Sequence, residues 1–215
     1  MKGSLKLGRV AGIIIEVHWT FILLLIWVVI LDVRRGGTTA TALLNIALIL
    51  FLFVCVVLHE LGHSLTARRF KIPTKKITLL PIGGVASIEK MPEKPTQELL
   101  VALAGPAVNV VLALLLYLVV PIQTYMSLDA ANLENLLSAP SLQTLLFYLF
   151  IANIMLVLFN MIPAFPMDGG RVLRALLSYR MDRVKATDIA ASIGQVFAVI
   201  FFVLGLLYNP FLVLI

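Results

Sequence analysis

A long apolar segment that ends in polar and charged residues constrains this chain more than any other feature. Residues 43–58 are almost all apolar, and they run directly into His59-Glu60-Leu61-Gly62-His63. A helix needs about 20 such residues to cross the hydrocarbon core of a membrane. Histidine and glutamate are costly in hydrocarbon unless a partner or a function retains them. The segment therefore predicts a membrane helix that carries a functional site.

The composition extends this prediction to the whole chain, which is 61% hydrophobic and only 13% charged. These values lie far from those of a soluble domain and indicate a polytopic membrane protein. Hydropathy predicts an all-α membrane bundle of five complete transmembrane helices and the start of a sixth, at 17–31, 40–66, 99–120, 142–161, 189–207 and 211–215. We expect 1–215 to be a single transmembrane domain, truncated within the sixth span.

One segment between spans two and three predicts β-structure instead of helix. Two short stretches of β-forming residues flank Pro81-Ile82-Gly83-Gly84, and a glycine-containing turn between such stretches is typical of a hairpin. We therefore expect a small β-hairpin near residues 76–88. It is either an ordinary cytoplasmic hairpin or an edge that holds an extended substrate.

The distribution of basic residues predicts the orientation of the spans. If the spans alternate, 15 of the 17 lysines and arginines lie on one side, and only Arg34 and Arg35 lie on the other. The rich side is cytoplasmic by the positive-inside rule. We therefore expect a multi-pass protein of the cell membrane whose spans two and four end toward the cytoplasm. This asymmetry accounts for the net charge of +6, so the lipid bilayer and not nucleic acid is the expected partner.

The motif at the end of span two predicts a metal site. Residues four apart share one helix face, so His59 and His63 can bind one zinc ion per chain. Glu60 projects about 100° round the helix, where it can act as general base toward a metal-bound water. A metal-ion transporter is an alternative, because the same residue types line ion pathways. A non-catalytic membrane adaptor is a second alternative. The spacing argues against a transporter, because a transporter has no reason to keep Glu60 there.

A third zinc ligand is needed, because catalytic zinc usually has three protein ligands and one open position. Asp168 is the strongest candidate, since two prolines break the end of span four just before it and two glycines follow it. His18 lies at a compatible depth near the start of span one and is a rival ligand. Cys55 lies one turn before His59 and could be near the metal, but we interpret it as a packing residue.

Two asparagines in the spans are further candidates for the site. His-Glu-x-x-His on a helix is typical of zinc peptidases, and peptide hydrolysis passes through a negatively charged oxygen that needs a hydrogen-bond donor. Asn160, eight residues before Asp168, is the candidate donor, although a bond to a neighbouring helix is the alternative. For Asn109, contact between helices is the better interpretation.

Together these motifs resemble the site-2 protease family of intramembrane zinc metalloproteases. The resemblance rests on residues 59–63, on 160–169 and on Gly105-Pro106 in span three, and it is strongest to the bacterial and archaeal branch related to the sporulation-factor-processing protease. It implies a zinc endopeptidase that cuts single-span membrane proteins in or near their transmembrane segments. It also implies that His59, His63 and Asp168 bind zinc and that the hairpin presents the substrate. The oligomeric state is not predicted.

Overall fold

A computed structural model describes residues 3–81, 83–88, 92, 94–127, 129, 132, 136–137 and 139–207. The described elements, in chain order, are β1 (Ser4–Val10), β2 (Ile13–His18), α1 (Thr20–Arg34), α2 (Thr39–Arg69), β3 (Thr74–Leu80), β4 (Gly83–Ile88), α3 (Pro95–Val119), α4 (Ile122–Ser127), α5 (Leu142–Asn160), α6 (Asp168–Leu177) and α7 (Arg183–Leu207).

Within the described residues, four helices are long and apolar enough to cross a membrane, namely α2, α3, α5 and α7. They correspond to the predicted spans two to five. Predicted span one is α1, whose 15 residues extend only about 22 Å against about 30 Å of hydrocarbon. Its predicted start at Val17 was wrong, because the helix begins at Thr20. The predicted start of a sixth span, at 211–215, lies outside the described residues.

As predicted, the described structure is mainly helical, but its β-structure is larger than the predicted hairpin, because the described strands form a mixed sheet of order β1-β2-β3-β4. The predicted hairpin is confirmed as the antiparallel pair β3–β4. Strand β2 pairs antiparallel with β1 and parallel with β3. Strands β1 and β2 were not predicted, although they form an antiparallel pair joined by Ala11-Gly12, both at positive φ. The parallel pairing of β2 with β3 joins residues far apart in the sequence, such as Ile15 and Ile77, and no local pattern indicates it.

The sheet packs on the half of α2 that carries the polar motif. Ile77 and Leu79 of β3 form a buried cluster with Leu61 and Phe53 of α2 and Phe21 of α1. The rings of Phe21 and Phe53 meet edge to face with centroids 4.4 Å apart, a favoured geometry for aromatic pairs. Burial of these side chains attaches the sheet beside the motif.

Glu16 is a buried carboxylate that links three strands of the sheet. Its Oε2 atom accepts a hydrogen bond from Ser4 Oγ of β1 at 2.9 Å and another from Lys76 Nζ of β3 at 3.1 Å. The hydrogen bond from Lys76, followed by that from Ser4, lowers the pKa of Glu16 below its ordinary value of 4.5. The carboxylate is therefore stabilised in its charged form although it is buried.

On its other side α2 packs against α3, the helix at the centre of the bundle. The close approach depends on Gly62, because a Cβ atom there would lie 2.7 Å from the carbonyl oxygen of Ala104. Helices α5 and α6 pack against α3 as well. This arrangement brings the start of α6 to the C-terminal half of α2.

Candidate metal centre

Three side chains from two helices converge in the interior beside α3. His59 and His63 lie one turn apart on α2, and Asp168 is the first residue of α6. Asp168 Oδ2 is 3.1 Å from His59 Nε2 and 3.0 Å from His63 Nε2, and the two Nε2 atoms are 3.1 Å apart. All three residues are buried. The sequence-predicted ligands are therefore brought together.

The spacing of these donor atoms suits a tetrahedral metal ion. Zinc binds imidazole nitrogen and carboxylate oxygen at about 2.0–2.1 Å, so adjacent corners of its tetrahedron are about 3.3 Å apart. The observed triangle, with edges of 3.0–3.1 Å, is close to one face of that tetrahedron. The group therefore fits three protein ligands and one open position.

Hydrogen bonds on the far side of each imidazole determine which nitrogen carries the proton. His63 Nδ1 lies 2.7 Å from the carbonyl oxygen of Val101, which can only accept. His59 Nδ1 lies 2.5 Å from Asn109 Oδ1. In the neutral tautomers both Nε2 atoms therefore carry lone pairs and no proton. Two such nitrogens and a carboxylate oxygen repel one another at 3 Å unless a cation lies between them. Two imidazole nitrogens and one carboxylate oxygen are a donor set that zinc prefers.

A chain of hydrogen bonds runs from His59 through Asn109 and Asn153 to α5. Asn109 Nδ2 donates to Asn153 Oδ1 at 2.8 Å, and Asn153 Nδ2 donates to the Leu149 carbonyl oxygen at 2.8 Å. Both asparagines are completely buried. The interpretation of Asn109 as a contact between helices was incomplete, because it also orients His59. Asn153 was missed, although a carboxamide in an apolar span was a usable signal.

Gly105 of α3 leaves the space that the imidazoles occupy. A Cβ atom at this position would overlap His63 Nε2 and would lie 2.7 Å from His59 Nε2. Glycine is therefore needed here because a larger side chain would displace the imidazoles, and not because of the backbone conformation. This contact gives a structural reason for the Gly105-Pro106 element noted in the sequence.

The segment between α5 and α6 packs against the start of α6 and holds Asp168, the first residue of that helix, in place. A Cβ atom on Gly169 would overlap the carbonyl oxygen of Ile162, and one on Gly170 would lie 2.7 Å from Phe165 N. The two glycines thus let α6 start against this segment. Arg171 Nη1 is 3.6 Å from Asp168 Oδ1, so one carboxylate oxygen faces the arginine and the other faces the histidines.

Glu60 lies on the side of α2 that packs against strand β4. A Cβ atom on Gly84 would lie 2.9 Å from Glu60 Cγ and 3.5 Å from Glu60 Oε1. The glutamate is half-buried and follows His59 directly on α2. It therefore lies close to the metal-ligating group without being part of it.

The remaining sequence candidates lie outside this group. Asn160 is the last residue of α5, and its Nδ2 donates to the Leu156 carbonyl oxygen at 2.9 Å. His18 ends β2, where its Nδ1 lies 2.8 Å from Thr20 Oγ1. Among the described residues, Asp168 and not His18 joins the two histidines. Cys55 is half-buried and accepts a 3.4 Å hydrogen bond from Asn153.

Comparison with known proteins identifies the family. A model of Peptidase family M50 matches residues 47–136 and 121–201. A zinc metalloprotease of Methanocaldococcus jannaschii is 41% identical over 96% of this chain and 55% of that protein. The solved structure of the site-2 protease from the same organism covers 98% of this chain and 89% of that one, with 40% identity and a TM-score of 0.68. Stage IV sporulation protein FB of Bacillus subtilis is 27% identical over 64% of this chain and 43% of that protein.

The apolar helices and the buried His-His-Asp group define a multi-pass membrane protein with a group that could hold a metal ion. The chain belongs to peptidase family M50, the family of the site-2 proteases. The predicted resemblance is therefore confirmed. The chain spans about half the length of the curated relatives it matches.

Proposed function

We propose that residues 1–215 form one transmembrane metalloprotease domain that hydrolyses peptide bonds in or near the transmembrane segments of single-span membrane proteins. One observation carries the proposal: His59, His63 and Asp168 direct three lone-pair-bearing atoms at one point, with edges of 3.0–3.1 Å, while Glu60 lies beside them. Membership of family M50 supports the same activity.

The chemistry divides between the metal ligands and the neighbouring carboxylate. Zinc held by the three ligands would polarise the scissile carbonyl group and lower the pKa of a bound water to about 7. Glu60 accepts a proton from the water as its oxygen bonds to the carbonyl carbon, and delivers that proton to the nitrogen as the C–N bond breaks. Asn160 is the proposed donor to the negatively charged oxygen.

Strand β4 is the proposed docking edge for the substrate. Among the described strands it pairs only with β3, and its Gly84 contacts Glu60. A transmembrane substrate must be extended locally before its carbonyl group is accessible, and an extended peptide can add to a free strand edge. Cleavage at this position would release a cytoplasmic fragment, as in regulated intramembrane proteolysis.

Cleavage with a matched variant tests this proposal. The chain is purified with zinc and incubated with tagged single-span proteins, alongside Glu60→Gln and a chelator-treated sample. The variant should keep its zinc and lose at least about 10²-fold in rate, because the amide cannot accept the proton. Residual cleavage near the wild-type rate would exclude Glu60 as the base. Uptake of zinc into vesicles without cleavage would favour a transporter. The absence of both uptake and cleavage would favour an adaptor.

The proposed orientation, with the active site toward the cytoplasm, has its own test. Cysteines replacing Lys75 and Arg180 in a Cys55→Ser background should react with a membrane-impermeant thiol reagent from the cytoplasmic side only. The reason is that the basic segments after predicted spans two and four are expected on that side. Labelling of the two positions from opposite sides would refute the alternating arrangement.

A further inference from the structure

Glu98, in the first turn of α3, is the centre of a buried ionic cluster away from the metal-ligating group. It is 3% exposed. Its Oε1 atom accepts hydrogen bonds from Arg174 Nη2 and, at 2.7 Å, from Arg174 Nε. Its Oε2 atom lies 3.4 Å from Arg183 Nη2. A buried carboxylate is tolerated when it is paired in this way, and removal of one partner is strongly destabilising.

The partners of Glu98 lie on two different helices. Arg174 belongs to α6, six residues after Asp168, and its guanidinium also lies over the Phe165 ring, 5.2 Å from the centroid. Arg183 is the first residue of α7, which supplies none of the three ligands. The Arg174 side chain is also the more buried of the two arginines, at 13% against 35% exposure. The stronger contact is thus made to the helix that carries the ligand.

Helix α3 contacts both histidines of the proposed metal centre and the helix that carries Asp168. Its Val101 carbonyl oxygen orients His63, its Asn109 orients His59, and its Glu98 holds α6. Helix α6 has only 10 residues, and a helix of that length is marginal without tertiary contacts. A guanidinium that donates twice to one carboxylate restrains both the distance and the direction of approach.

We infer that Glu98 and Arg174 form a positioning pair that sets Asp168 at bonding distance from the metal ion held by His59 and His63. The inference rests on the proposed metal centre. Neither residue touches the metal ligands in the contacts described above, so the pair acts through the placement of α6. Binding sites lose function when their ligands move by more than about 0.5 Å, so a small shift of α6 is sufficient to weaken the metal.

Zinc affinity, measured by competition with a chromophoric chelator on the whole chain in nanodiscs, tests the pair. Glu98→Gln and Arg174→Lys should each weaken zinc binding by about 10-fold, the lower end of the effect of disturbing groups that support metal ligands. Arg174→Lys keeps the charge but loses the double donation, so it separates geometry from charge. Arg183→Gln is the matched control, and it should change the affinity by less than about 2-fold.

Two further measurements distinguish positioning from general stability. The d–d spectrum of the cobalt-substituted protein should change in Glu98→Gln and Arg174→Lys but not in Arg183→Gln, because the spectrum reports ligand geometry. In a double-mutant cycle, Glu98→Gln/Arg174→Lys should bind zinc no more weakly than the weaker single variant, since the two residues act through one contact. Circular dichroism establishes that each variant is folded.

Several outcomes would overturn the inference. Wild-type zinc affinity in folded Arg174→Lys, or an equal loss in Arg183→Gln, would leave the pair with a stabilising role only. If both members of the pair are needed for the protein to fold at all, the positioning role is likewise rejected. Failure of the wild-type chain to bind zinc, or zinc binding that survives His59→Ala, would instead refute the metal centre itself, so the two failures are distinguishable.

Discussion

The two sides of α2 at the candidate site differ in kind. The side toward α3 is buried, and its polar contacts are specific: the Val101 carbonyl oxygen and Asn109 each bond one imidazole. The side toward the sheet presents Glu60, a half-buried carboxylate packed against the backbone of Gly84 in an edge strand. A metal needs ligands that do not move, whereas a base must meet both water and a substrate. The difference matches the proposed division of one helix into a side that binds metal and a side that transfers a proton.

Loss of the Asp168 carboxylate, which faces the buried histidines of α2, should have the largest effect. Asp168→Ala removes the only oxygen donor in the His-His-Asp group of the described residues, so zinc content and cleavage should both be lost. His18→Ala should leave zinc bound, because His18 bonds Thr20 and lies outside the group. Metal analysis of the two purified variants checks the expectation. Zinc retained in Asp168→Ala and lost in His18→Ala would reverse the assignment of the third ligand.

Gly105 of α3 and Gly84 of β4, which pack against two different sides of α2, offer the sharpest test of the comparison. Gly105→Ala places a methyl group on the imidazole nitrogens, 2.7 Å from His59 Nε2, whereas Gly84→Ala places one 2.9 Å from Glu60 Cγ. The first variant should lose zinc. The second should keep zinc and lose about 10- to 100-fold in cleavage rate, since misplacement by about 1 Å can cost that much.

Zinc content and cleavage, measured on the same samples, separate the two glycine variants. The methyl group in each case is the same, so any difference reflects the side of α2 on which it lies. Equal zinc loss in both variants would contradict the division between a metal-binding side and a base-bearing side.

The smallest expected effect concerns the sheet and its dependence on pH. The pKa of Glu16 is lowered in the folded state, mainly by the hydrogen bond from Lys76. Its contribution to stability is therefore present above its ordinary pKa of 4.5 and is lost as the pH falls through the lower folded value. The unfolding temperature of the wild type should exceed that of Glu16→Gln by a few degrees at neutral pH, and the gap should close under acid conditions. A gap that widens with acid would contradict the sign of this pKa shift.

The sequence predicted the helical framework better than the sheet. Apolar runs identified α2, α3, α5 and α7, because crossing a membrane imposes a length and a composition on each segment separately. The hairpin β3–β4 was predicted from its glycine turn, which is also a local signal. The parallel pairing of β2 with β3 was not predicted, because it joins Ile15 to Ile77, and no local pattern in either segment indicates a partner so far away in the sequence.

By itself the sequence determined that this is a membrane protein whose His59 and His63 share one face of a helix. These properties follow from composition and from a spacing of four, and both are local. Only the tertiary structure decided that Asp168 closes the donor triangle. It also decided that Asn109 and Val101 set the protonation of the imidazoles, and that two glycines make room on either side. Such contacts depend on how helices far apart in the chain pack, and no residue type or spacing encodes that packing directly.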